Sequence, residues 1–85
     1  MKLARIINYK DQERIIPIIE QNDDDIILNL SWFKNYKYDQ MEFIRNLNGN
    51  RCKIFIDESI KNCVVYIKFI DIKNKNIIIL CKECK

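Results

Sequence analysis

Short apolar segments alternate with polar ones along the whole chain, and the spacing within each segment predicts its structure. The segment "KLARII" at 2–7 is short and apolar, which predicts a first strand. In "QERIIPIIEQN" at 12–22 the isoleucines fall at helical spacing behind Asp11, a good helix-capping residue, which predicts a first helix. Pro17 removes one backbone donor from that helix, so we expect the helix to be kinked or to start late.

The middle of the chain predicts a strand followed by a second helix. "IILNL" at 26–30 is an apolar run behind three solvated aspartates, as expected of a strand buried on both sides. Its one amide, Asn29, is expected to hold the next turn through side-chain hydrogen bonds. "DQMEFIRNLNG" at 39–49 begins with a capping pattern and ends at Gly49, which suits a left-handed C-terminal cap, so it predicts the clearest helix.

The rest of the chain predicts three strands, at 51–57, 63–72 and 76–81, the last two joined by a polar turn. In "RCKIFID" apolar and polar positions alternate, as in a half-buried strand. The predicted order is β-α-β-α-β-β-β in a single domain over residues 1–85. We therefore expect an α+β fold, a two-layer α/β sandwich whose five-stranded mixed sheet carries both helices on one face.

In such a sandwich the face of the sheet opposite the helices is uncovered. The alternation places apolar side chains there, where a solvated sheet would carry charges. A contiguous apolar patch on so small a domain is typical of an interface, so we predict a homodimer that packs sheet on sheet. The residues expected at this dimer interface are Phe55, Tyr66, Ile70 and Leu80.

Composition narrows the class of protein. A chain of 85 residues that is 48% hydrophobic and 32% charged is not disordered. The net charge of +3 comes from scattered Lys and Arg, without the concentrated basic patch that nucleic-acid binding needs, so no nucleic acid is expected. The N-terminus lacks the features of a secretory signal, and the longest apolar run, 77–81, is far too short to span a bilayer. We expect a cytoplasmic protein whose cysteines are thiols.

Several segments resemble the core domain of SepF, a bacterial and archaeal cell-division protein. They are the apolar strand ending in Asn-Leu at 26–30, the helix end at 46–49, and the turn "DESI" at 57–60. Glu58 stands where that family has a glycine, and "IIILC" is similar to its closing strand. The resemblance covers about residues 3–81.

The resemblance implies a non-enzymatic dimeric adaptor at the division septum. Members of the family bind the C-terminal tail of FtsZ, the tubulin-like division protein, and help tether the division ring to the membrane. Their membrane contact comes from an N-terminal amphipathic helix that has no counterpart in this sequence. In that family the glycine matching Gly49 lies at a self-association surface.

The aromatic segment "SWFKNYKY" at 31–38 leaves three interpretations open. It could pack against the second helix, contact a peptide, or stack the bases of a single-stranded nucleic acid between its lysines. With the family's tail binding in mind, we hypothesise a groove for a short extended peptide. The residues predicted to bind the partner are Trp32, Phe33, Phe43, Leu47 and Gly49.

The four cysteines raise the question of a metal. Cys81 and Cys84 form a C-x-x-C pair, and Cys52 with Cys63 could complete four thiolate ligands for zinc. Core packing is the simpler interpretation, since the second pair is widely spaced and the chain has no His; a redox pair at the terminus is the third. We expect neither metal nor cofactor.

Catalysis has little support in the sequence. Because the chain has no His, a carboxylate or a thiolate would have to act as the general base. The three adjacent aspartates point in different directions along an extended chain, so they do not converge on one site. We therefore predict that the protein is not an enzyme. The dimeric adaptor is the principal prediction, and a small basic α/β domain that binds nucleic acid, with or without zinc, is the alternative.

Overall fold

In the computed structural model the described part of the chain forms a closed antiparallel barrel of six strands with one helix. The structure describes residues 2–30, 38–71 and 73–84, with the backbone alone at 38–40. The elements are β1 (Lys2–Ile7), β2 (Glu13–Asn22), β3 (Asp25–Asn29), α1 (Tyr38–Leu47), β4 (Asn50–Ile56), β5 (Ser59–Asp71) and β6 (Asn76–Lys82). The predicted two-layer α/β sandwich, with two helices on a five-stranded mixed sheet, is therefore wrong.

The barrel consists of two three-stranded meanders, β1–β2–β3 and β4–β5–β6, which meet along both edges. The strand order is β1-β2-β3-β6-β5-β4, and β4 pairs again with β1. The first strands of the two meanders pair with each other, as do the last strands, and every pairing is antiparallel. Because the sheet closes on itself, its inner face becomes the core and its outer face the surface.

The segment predicted as the first helix is strand β2, which pairs with β1 and with β3. Isoleucines are stiff at χ1 and favour strands, and Pro17 would have broken a helix at its centre. Pro17 lies opposite Leu3, and β3 pairs with β2 only from Ile18 onward. A residue without an N–H is tolerated at such a position because it ends one ladder.

Alternation along each strand fills the barrel interior with aliphatic side chains and cysteines. The three inward positions predicted for β4, namely Cys52, Ile54 and Ile56, are confirmed, with exposures of 5% or less. Among the residues that the structure describes, the core consists of Ala4, Ile6, Ile16, Ile18, Ile26, Leu28, Leu30, Phe43, Ile44, Leu47, Cys52, Ile54, Ile56, Cys63, Val65, Ile77, Ile79 and Cys81. Two partly buried residues, Ile67 and Ile70, pack against it.

The helix predicted at 39–49 is confirmed as α1, and so is its cap. Gly49 has a φ of 77°, the left-handed conformation that a glycine adopts without strain. The N–H of Gly49 donates to the carbonyl oxygen of Val65 at 2.7 Å, and the side-chain oxygen of Asn48 accepts from the N–H of Ile67 at 3.0 Å. These bonds fix the end of the helix to β5, so that its apolar side joins the core through one end of the barrel.

A buried amide organises the turn between β1 and β2. Asn8 is 3% exposed, and its side-chain oxygen accepts hydrogen bonds from the N–H groups of Lys10 and Gln12 at 3.0 and 2.9 Å. Its side-chain nitrogen donates to Oε1 of Gln12 at 2.9 Å. One side chain therefore satisfies two backbone donors that would otherwise lack partners.

Replacing Asn8 with alanine is expected to destabilise the fold by about 2 kcal/mol, because two N–H groups lose the acceptor that this buried side chain supplies. Denaturant unfolding followed by circular dichroism measures the change. Asn8→Asp is the matched control, since its carboxylate keeps both acceptors and loses only the bond to Gln12. An alanine variant no less stable than the aspartate variant would show that the turn does not depend on this side chain.

The length of α1 bears on membrane insertion. It has 10 residues, whereas about 20 are needed to cross a bilayer. Within the described ranges, no helix is long and apolar enough for that crossing. The location at the division septum stays a prediction.

Candidate interaction surface

Two cross-strand rows of apolar side chains lie side by side on the outer surface of β3, β6 and β5. In the first row Ile27 faces Ile78, and Ile78 faces Phe69; in the second Leu80 faces Tyr66. Tyr66 is 44% exposed and Phe69 is 58% exposed, while the three aliphatic residues are half-buried. We call these five residues, Ile27, Tyr66, Phe69, Ile78 and Leu80, the aromatic face.

A β-bulge in β5 decides which residues belong to this face. The pairing of β5 with β6 shifts between Ile67 and Phe69, so the alternation changes phase there. Phe69 therefore joins Tyr66 on the outer surface, and Ile70 turns inward against the core. Of the residues predicted at a dimer interface, Tyr66 and Leu80 lie together on this face, and Ile70 lies elsewhere.

Charged side chains border the aromatic face on opposite sides. Glu20 lies beyond Ile27 on β2, and Asp25 begins β3 beside Leu80. Lys68 projects from the bulge of β5, and its Nζ contacts Oδ2 of Asp25 at 2.8 Å. Because β6 lies between those two strands, the lysine stem must cross β6 and cover part of its apolar surface. The face thus has an acidic edge toward β2, and Lys68, which starts on β5, reaches across the face to that edge.

Apolar residues also occur on the outer surface of the opposite wall, but a charged residue lies among them. There Ile15, Arg5, Phe55 and Ile60 form one row across β2, β1, β4 and β5. The Arg5 guanidinium lies 4.6 Å from the centre of the Phe55 ring and forms an ion pair with Glu13. Phe55, predicted to share an interface with Tyr66, therefore lies on a different side of the barrel and stacks against an arginine.

The five residues predicted to bind a peptide do not form a groove among the described residues. Phe43 and Leu47 lie in the core, at 1% and 0% exposure, where a partner cannot reach them unless the barrel opens. Gly49 is exposed and acts as the helix cap. Trp32 and Phe33 lie outside the described residues.

A pocket lies between the β1–β2 turn and the start of β4. Its volume is about 190 Å³, and its walls include Tyr9, Arg51, Lys53 and Asn62. Sites for small organic ligands usually measure about 300–1,000 Å³. The pocket is therefore too small to indicate a substrate or cofactor.

The cysteines do not behave as four equal thiols. Cys63 and Cys84 form a disulfide, whereas Cys52 and Cys81 are buried free thiols. The expectation that all cysteines are thiols is therefore wrong for one pair, and the C-x-x-C residues are not bonded to each other. Among the described residues, no group of three or more His, Cys, Asp or Glu side chains is placed to hold a metal ion.

The comparisons with known proteins found nothing to place beside this chain. No family model, curated protein sequence or solved structure matches it.

Proposed function

We propose that this chain is a non-catalytic interaction module that joins a second copy of itself through the aromatic face. The observation that carries the proposal is the position of Tyr66 and Phe69, two exposed rings flanked by three half-buried aliphatic residues in adjacent rows. Single exposed apolar residues are common on protein surfaces, but contiguous patches mark interfaces. Aromatic residues supply much of the binding energy at the centre of such patches.

The charges at the rim favour a second copy as the partner. In a two-fold contact, each residue of the patch meets the same patch on the partner, turned by half a rotation. A rotation about an axis that lies over the face, parallel to β6, places β5 of one copy, which carries Lys68, over the acidic edge of the other. Lys68 then exchanges Asp25 of its own chain for Glu20 or Asp25 of the second copy. Lys68 is 48% exposed, so this rearrangement costs little.

A charge at the centre of the face should separate the two copies. Phe69→Asp is expected to weaken self-association at least 30-fold, about 2 kcal/mol, because a carboxylate replaces a central ring. Sedimentation equilibrium at micromolar concentration should give twice 10.3 kDa for the wild type and 10.3 kDa for the variant. Circular dichroism should show the same fold for both.

Ile60→Asp is the matched control. Ile60 is 64% exposed and lies on the opposite wall, six residues along β5 from Tyr66, so its change should leave the dimer intact. A wild type that stays at 10.3 kDa up to hundreds of micromolar, or a dimer that Ile60→Asp breaks and Phe69→Asp does not, would overturn the proposal.

A charge exchange distinguishes a second copy from any other partner. Lys68→Glu and Glu20→Lys should each weaken the dimer by less than tenfold, because rim charges contribute under about 1 kcal/mol. The double variant should recover most of the loss, since each new lysine meets a new glutamate across the two-fold axis. Losses that simply add would exclude this arrangement of the two copies.

Binding of the FtsZ tail stays a prediction. It rests on the SepF resemblance of short segments, and the α/β core that this resemblance implies is replaced here by a barrel. The prediction gains no support from Phe43 and Leu47, because both are buried.

A further inference from the structure

Three of the four sulfur atoms belong to neighbouring residues. Cys52 on β4 lies directly opposite Cys63 on β5, and both side chains point into the barrel, with exposures of 1% and 0%. Cys63 is bonded to Cys84, an exposed residue just beyond β6. Cys63 therefore has two cysteine neighbours, one buried and one at the surface.

The position of Cys52 also suits a disulfide with Cys63. Directly opposite residues of an antiparallel pair have Cα atoms about 4.5 or 5.5 Å apart, depending on the hydrogen-bonding pattern. Both values fall within the range of about 4.4–6.8 Å that disulfides span. The barrel can therefore hold either of two disulfides at Cys63 without a change in strand register.

We propose that Cys52, Cys63 and Cys84 form a thiol–disulfide exchange site in which Cys63 alternates between the exposed Cys84 and the buried Cys52. The Cys52 thiolate attacks Sγ of Cys63, the Cys63–Cys84 bond breaks, and Cys84 leaves as a thiolate. Cys84 then takes up the proton that Cys52 gave up. One disulfide replaces another, so no oxidant or reductant is consumed.

The exchange replaces a disulfide at the protein surface with a free Cys84 thiol. In the structure, residues 83–84 are held by the disulfide and by Arg51, whose Nη1 donates to the carbonyl oxygen of Glu83 at 3.3 Å. Arg51 Nη2 also lies 3.7 Å from Oε2 of Glu83. After exchange only the arginine contacts remain, and an exposed Cys84 thiol becomes available. Such a thiol can form a mixed disulfide with a small-molecule disulfide of the glutathione type.

Burial sets the rate of this exchange. Burial, together with the smaller effect of the neighbouring Cys81, raises the pKa of the Cys52 thiol to about 11. Only the thiolate attacks, so below that pKa the rate should rise about tenfold for each unit of pH. The neighbours of Cys52 inside the barrel are Cys63 on β5 and Cys81 on β6. Arg51, Lys53, Tyr9 and Asp11 line a pocket together with Cys52 at the barrel surface.

Trapping the released thiol tests the proposal. The oxidised wild type is incubated with iodoacetamide at pH 7 and at pH 9, quenched with acid, digested and mapped by mass spectrometry. Alkylated Cys84 and a Cys52–Cys63 disulfide should appear together, about 100-fold faster at pH 9. Cys52→Ala should keep Cys63–Cys84 and protect Cys84 at both pH values, whereas Cys81→Ala retains Cys52 and should release Cys84 at least as fast as the wild type.

A second variant makes the test independent of the exchange rate. Cys84→Ser changes an exposed residue, and oxidised glutathione should convert this variant to the Cys52–Cys63 disulfide. Free Cys52 and Cys63 after that treatment would overturn the proposal. Equal alkylation of Cys84 in the wild type and in Cys52→Ala would overturn it as well.

Discussion

Replacing Phe43 with alanine is expected to destabilise the protein by about 3–5 kcal/mol. This is a large share of the total free energy of unfolding of a domain of 85 residues. Phe43 is 1% exposed and belongs to the core that α1 completes at one end of the barrel. The Arg14 guanidinium lies 5.2 Å from the centre of its ring, so the substitution also removes a cation–π contact. Thermal and denaturant unfolding measure the loss.

Phe69→Ala is the matched control, because it removes the same ring from a site that is 58% exposed. Its stability as a monomer should change by less than about 1 kcal/mol, while its self-association weakens. The pair of variants separates the two uses of phenylalanine in this chain. Equal loss of monomer stability in both would contradict the assignment of Phe43 to the core and Phe69 to the surface.

The most consequential wrong prediction concerned β2, where the same residues fit both the period of an α-helix and the period of a β-strand. Apolar residues at 15, 16, 18 and 19 match one face of a helix. In the structure Ile15 and Ile19 are about half exposed, Ile16 and Ile18 are buried, and the pairing with β3 shifts between Ile18 and Glu20. The buried positions 16 and 18 keep the period of two of a strand, but isoleucine also occupies the exposed positions 15 and 19, so the same residues match the spacing of a helix face. Pro17, which is unfavourable in the interior of a helix, was the residue that argued against a helix here.

One misassigned segment changed the whole architecture. With two helices, an open sheet has one covered face and needs a partner for the other. With 12–22 as a strand, the chain has six strands and only one described helix, and the sheet can bury its apolar face by closing on itself. Closure depends on pairings between distant segments, such as β1 with β4, which local periodicity does not encode.

Segments without bulges were predicted well. The strand at 2–7 has the predicted bounds, β4 alternates as expected, and Gly49 caps α1 with the expected positive φ. In each case neighbouring residues determine the conformation, so the sequence is sufficient. The aromatic face was found only in part, because the bulge at 67–69 placed Phe69 outside and Ile70 inside.

The pairing of Cys63 with Cys84 also could not be predicted from the sequence. Four cysteines allow three ways of forming two disulfides, and the C-x-x-C spacing drew attention to Cys81 with Cys84 instead. In β6 Cys81 points inward, where it is 1% exposed. The chain then turns at Glu83, with a φ of 53°, and Cys84 meets β5 instead. That turn follows from the strand pairing and not from the spacing.

Reducing this disulfide is expected to lower the free energy of unfolding by about 3 kcal/mol. The bond joins residues separated by 21 positions, and opening a loop of that length restores conformational entropy to the unfolded chain. Guanidinium unfolding of the wild type, with and without a phosphine reductant at pH 7, measures the difference from the midpoint and slope of each curve, because the reduced chain is less compact when unfolded. The double variant Cys63→Ala, Cys84→Ser is the control, and reductant should leave its midpoint unchanged because it lacks the bond.

Equal midpoints for the oxidised and reduced wild type would mean that the bond contributes nothing to stability. The thiol-exchange proposal would still be tested separately, because trapping of Cys84 depends on the position of Cys52 and not on the stability of the fold.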